Sequence, residues 1–118
     1  MNNKKLIFEI RELDKIGKID LEELNYYKNK DYEEIEFEGL KYKITCVDEI
    51  VKYYDYNVSR DETLIFKIEY NNGLVCYFGK KMYQQYDRCE DCYEIIETEF
   101  IEMEQKEVIT KVWKEIKS

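Results

Sequence analysis

Thr63 to Phe78 constrains the fold more than any other stretch of the chain. Leu64, Phe66, Ile68 and Tyr70 recur at every second position, which lines one face of an extended segment. Asn71-Asn72-Gly73 supplies residues that tolerate a tight reversal, and Leu74 to Phe78 then returns. The segment therefore predicts a β-hairpin, and the turn length decides which residues meet. A two-residue turn sets Val75 and Tyr77 beside Ile68 and Phe66. A three-residue turn sets Leu74, Cys76 and Phe78 there. The second set is more apolar and is the expected one.

The same alternation runs through Ile35-Glu36-Phe37-Glu38-Gly39-Leu40-Lys41-Tyr42-Lys43-Ile44 on both sides of Gly39, which predicts a second hairpin or bulge. Asp48 to Tyr56 reads two ways: Ile50, Val51 and Tyr54 fit a helical face, while the tyrosine pairs favour a strand. Leu6 to Leu13 alternates, so Leu6, Phe8 and Ile10 share a face if it is extended. A short helix also fits, and the alternation favours the strand. Asp20-Leu21-Glu22-Glu23 reads as a helix start with Asp20 as N-cap and Ile19 and Leu24 as a hydrophobic staple, the helix running to about Tyr27 or Lys28.

Toward the C-terminus, Glu94 to Met103 and Val108 to Ile116 form either a hairpin about Glu104-Gln105-Lys106 or, in the second half, a helix. Val108, Ile109, Val112, Trp113 and Ile116 would line that helix. β-branched density favours strands. With no proline, Gly/Ser linker or internal repeat, residues 1–118 read as a single domain. The expected fold class is α+β, a small antiparallel β-sheet with one or two short helices.

Composition narrows the function. There is no histidine, so the commonest general base and metal ligand are both missing. The 27 acidic residues against 19 basic give a formal charge of −8. A field of that sign disfavours direct contact with nucleic acid or an anionic membrane and favours basic protein partners, although it also serves plain solubility. No stretch approaches a membrane span. After the basic start, Glu9, Arg11 and Glu12 interrupt the apolar run, so a signal peptide is not expected. The expected location is the cytoplasm, with the four cysteines reduced.

Cys89-Glu90-Asp91-Cys92 is the one spacing with chemical precedent, as half of a zinc site or as a redox dithiol. A four-thiolate site would need Cys46 and Cys76, which lie far off in sequence. The anionic residues between the thiols raise a thiol pKa, against redox work. The simpler reading makes Cys46 and Cys76 core residues on strands and places Cys89 and Cys92 on a turn. No phosphate-binding glycine run, calcium-loop spacing or nucleophile with a conventional base is present, so neither a catalytic residue nor a cofactor is expected.

Two acidic tracts are more specific. One holds Asp31, Glu33, Glu34, Glu36 and Glu38. The other holds Asp87, Glu90, Asp91, Glu94, Glu97, Glu99, Glu102, Glu104 and Glu107, with only Arg88 and Lys106 against it. Strand residues two apart share a face at about 6.6 Å, so Glu34/Glu36/Glu38, Glu97/Glu99 and Glu102/Glu104 form rows of carboxylates. Such rows can stand in for a phosphate backbone in a basic cleft. Tyr83, Tyr86 and Tyr93 add contacts of the kind that anchor interfaces, as does Tyr32. An ordinary solvated sheet face also explains the alternation, but less well the scarcity of lysine in the second tract.

Phe8-Glu9-Ile10-Arg11-Glu12-Leu13-Asp14 resembles the first strand of small proteins encoded by phages and mobile elements of low-GC bacteria, and the Asn/Lys/Glu/Ile/Tyr-rich composition is similar to that group. The resemblance implies a stoichiometric inhibitor of host defence, anti-CRISPR proteins among them. It carries over no functional residue. The resulting expectation is a non-enzymatic inhibitor whose acidic surface mimics nucleic acid and occupies a basic nuclease or effector complex. The alternatives are an immunity or antitoxin-type protein that neutralises a basic toxin, and a small Cys-based zinc-binding module.

Overall fold

The computed structural model describes residues 3–54, 58–70 and 73–104. Two helices, α1 (Asn3–Lys15) and α2 (Leu21–Tyr26), precede five strands: β1 (Glu33–Phe37), β2 (Leu40–Tyr54), β3 (Ser59–Tyr70), β4 (Val75–Asp87) and β5 (Cys92–Met103). The strands form one curled antiparallel sheet in the order β1-β2-β3-β4-β5. The described chain is thus a mostly β form of the α+β class.

The expected strand at Leu6–Leu13 is a helix instead, and so is the segment that resembles a first strand. Leu6, Ile7 and Ile10 are buried and Leu13 packs against the core, which is a helical stripe at i, i+1, i+4 and i+7. Phe8, which an extended segment would have turned inward with Leu6 and Ile10, is 54% exposed under the Arg11 guanidinium. The period of the buried set decides the matter, and alternation over three apolar positions is too short to compete.

Gly17 ends α1 in the left-handed region at φ +78°. Its N–H donates to the Asp14 carbonyl and the Lys18 N–H to that of Leu13, the paired bonds of a Schellman cap. Asp20 then caps α2, its carboxylate accepting from the Glu23 N–H at 3.1 Å. Ile19 and Leu24 are both buried, as the staple requires.

The hairpins form as the alternation predicts. Glu38 and Gly39 both take positive φ, giving the two-residue turn that pairs Phe37 with Leu40. β2 continues through Asp48 to Tyr54 as strand, with a bulge after Cys46. Between β3 and β4 the register sets Cys76 opposite Ile68 and Phe78 opposite Phe66, the pairing of the three-residue turn. Leu74 shares that parity but is 60% exposed.

The core lies between the helices and one face of the sheet. Leu6, Ile10, Leu21 and Leu24 meet Ile44, Cys46, Leu64, Phe66, Ile68, Phe78 and Met82. The Phe66 and Phe78 rings stack at 5.0 Å, and Phe100 of β5 continues the stack at 6.1 Å. On the opposite face, Gly79 allows Thr63, Ile101 and Met103 to close over the strand. The expected hairpin or helix at Val108–Ile116 lies outside the described residues, as does Glu107.

Candidate functional site

The two acidic tracts meet different neighbours. In β1, burial of Ile35 turns Glu34 and Glu36 to the other face. There they stand opposite Lys43 and Lys41 of β2. The next residue across from Lys43 is Glu69, which salt-bridges Lys67 at 3.0 Å. The expected acidic row is therefore interleaved with lysines. Glu38 is not part of it, since the left-handed backbone of the turn removes it from the strand alternation. Glu33 is half-buried near Asp20 and Glu23, and burial, chiefly, raises its pKa.

β5 is different. Cys92–Met103 contains Glu94, Glu97, Glu99 and Glu102 and no lysine or arginine. Met82 and Lys80 point to the helices, so the residues paired with them, Thr98 and Phe100, share the helix side. Glu97 and Glu99 consequently lie on the other face, opposite Tyr83 and Lys81. Glu94 is an odd number of residues away and in a regular strand would face the helices. The register shift between Tyr83 and Gln84 inserts Ile96 as a bulge and restores Glu94 to the face of Glu97 and Glu99, opposite Gln85. Glu102 is on the helix side, accepting from the Asn3 amide at 3.4 Å. Three glutamates of the second tract thus share one face, and the bulge is what gathers them.

Asp87, Glu90 and Asp91 continue the negative charge around the β4–β5 turn. Asp87 accepts from the Cys89 N–H at 2.9 Å, fixing the turn. The Asp91 carboxylate is held by the Tyr86 hydroxyl.

The expected tyrosines divide. Tyr86 and Tyr93 are cross-strand partners whose rings meet edge-on at 5.4 Å. The Arg60 guanidinium lies 3.9 Å from the Tyr93 ring, and its Nε donates to Gln84 Oε1 at 2.5 Å. That pair therefore builds the helix-side surface at the far end of the sheet. Tyr83 lies on the opposite face between Asp61 and Glu97. Tyr32 is on the β1 side, under Lys43 Nζ at 4.5 Å.

The cysteines are dispersed, Cys46 in the core and Cys89 in a turn as the simpler reading expects, but Cys76 is only partly buried and Cys92 begins a strand. Cys46 is buried, its thiol against Asn25 Oδ1 and the Asp48 carbonyl, and burial pushes its pKa up to about 11. Cys76 lies 3.2 Å from the Tyr70 hydroxyl. Cys89 is in the β4–β5 turn and Cys92 begins β5, both exposed. Desolvation and then the Glu90 and Asp87 carboxylates raise the Cys92 thiol. Among the described residues, no three Cys, Asp or Glu side chains group as metal ligands.

Sequence reasoning missed a polar cluster on the helix side. Lys80 is buried in β4 and binds Asp14 at the end of α1 and Glu22 in α2. It lines the groove between α1 and β5 with Arg11, Lys15, Thr98 and Phe100. Further along the same face, burial and then the charge of Glu49 raise the Glu62 pKa, while Gln84 and Arg60 oppose the rise. The parity of Lys80 between Phe78 and Met82 was the available signal, since it places a lysine on the core face.

The chain matches no protein-family model, no curated protein sequence and no solved structure. No described helix is long and apolar enough to cross a membrane.

Proposed function

We propose that the chain is a non-enzymatic inhibitor that binds a basic, nucleic-acid-handling protein, with the anti-CRISPR class as its most concrete form. The acidic end of the sheet, Asp87 to Glu99, is the contact surface. What carries the reading is the contrast between the two tracts. Glu34 and Glu36 both stand opposite lysines, whereas Glu94 and Glu97 stand opposite Gln85 and Tyr83, and only Glu99 faces a cation, Lys81, which also lies 3.9 Å from Asp61. Carboxylates at strand spacing that outnumber the cations across from them offer regular acceptors to lysine and arginine, as a phosphate backbone does. Tyr83 contributes an amphipathic contact between them and Asp61.

The test is affinity as a function of salt for a basic partner captured from a bacterial host and then purified. Binding through this surface weakens steeply as salt rises, because exposed charges are screened over about 10 Å at 0.1 M. Affinity that stays flat from low to high salt would refute the mimicry.

A further inference from the structure

Glu94 to Glu99 of β5 are exposed at every position, on both faces of the strand. β5 also ends the sheet among the described residues. An edge strand turns one row of backbone N–H and C=O groups away from its neighbour, and that row is a template for another strand.

The side chains state which strand fits. Glu94, Glu97 and Glu99 occupy one face. Ile95, on the helix side opposite Gln84, is 44% exposed, and Ile96 at the bulge is 52% exposed. A second copy of β5 would bring glutamates against glutamates, and like charges across a strand pair are unfavourable. The bulge adds a further obstacle to a long, flat self-pairing. An extended segment with cations on one face and apolar side chains on the other removes the first obstacle, and a short one needs no long, flat pairing across the bulge. Its cations reach the glutamates and its apolar face reaches Ile95.

We propose that the Glu94–Glu99 edge receives an extended basic segment of its partner by strand addition, alternating lysine or arginine with apolar residues. This rests on the reading of a basic partner and adds the mode of recognition: backbone hydrogen bonds set the register, and the glutamates and isoleucines select the sequence.

The experiment uses isotope-labelled full chain and a short synthetic peptide of alternating lysine and valine. A control peptide of the same sequence is N-methylated at its internal backbone amides, which keeps the charge and removes the hydrogen bonds. The expected result is binding of the first peptide with amide shifts centred on Glu94–Glu99 and with alternate amides there gaining protection from exchange. The methylated peptide then binds at least about tenfold more weakly, as loss of several hydrogen bonds requires. Equal binding of both peptides overturns strand addition but leaves the basic-partner reading standing. Failure of both peptides to bind at low salt overturns the two together. Protection of all the Glu94–Glu99 amides in the free chain also overturns the proposal, because the edge would already be occupied.

Discussion

Lys80 Nζ lies 2.7 Å from Asp14 Oδ2, joining the middle of β4 to the end of α1. The other Asp14 oxygen accepts from the Leu21 N–H at 3.2 Å, so one carboxylate fastens both helices to the sheet. Lys80 and Asp14 side chains are 9% and 12% exposed, whereas Glu22, the second partner of Lys80, is 51% exposed. Removing one member of a buried pair leaves a charge without compensation. Asp14→Ala should therefore cost about 3 kcal/mol in urea denaturation. Glu22→Ala should cost under about 1 kcal/mol.

Gly79 sets a steric limit on the other face of β4. A Cβ there would come within 2.7 Å of the Met103 sulfur and 3.2 Å of Ile101 Cγ1 and Thr63 Cγ2. Met103 can swing aside, so Gly79→Ala should be tolerated at a cost of about 1 kcal/mol. Gly79→Val adds two methyl groups where Ile101 and Thr63 are already tight against the Cβ and should cost more, about 1–3 kcal/mol, measured by the same denaturation.

Glu62 gives a pH dependence. Burial, then the Glu49 charge, raises its pKa in the folded chain. A carboxyl raised on folding binds its proton more tightly in the native state, so its charged form opposes folding above the folded pKa. Stability is regained as pH falls through that value, and the relief is complete below the unfolded pKa of about 4.3. Glu62→Gln should thus raise the thermal midpoint at neutral pH, and the advantage should fade below about pH 4. A constant difference across that range would rule out titration of Glu62 as its source.

The elements most legible in the sequence were those with a local signature. Glu38-Gly39 fixes a two-residue turn because both positions require positive φ. Asp20 and Glu23 mark a helix start through one hydrogen bond three residues long. The apolar excess of Cys76 and Phe78 over Val75 and Tyr77 selects the register of β3 on β4. α1 was misread because Leu6, Phe8 and Ile10 satisfy a period of two and the burial of Ile7, which breaks the tie, depends on the sheet beneath it.

The site was legible in composition and not in arrangement. The acidity of both tracts is plain, but the lysines that interleave the first lie on the next strand. The face of Glu94 depends on a bulge that its own spacing does not announce. The Lys80–Asp14 bond joins residues 66 positions apart, where no local pattern reaches.

Two sets of substitutions test the central claim most directly. The partner captured from a host is titrated at low salt with the Glu94→Gln/Glu97→Gln/Glu99→Gln chain and with the Glu34→Gln/Glu36→Gln chain. Each exposed charge pair contributes roughly 0.2–1 kcal/mol, so loss of three should weaken binding about tenfold. The β1 pair, which stands opposite Lys43 and Lys41, should leave affinity within about twofold of the parent. Equal affinity for the parent and the triple variant, or a larger loss from the β1 pair, would contradict the assignment of β5 as the binding edge.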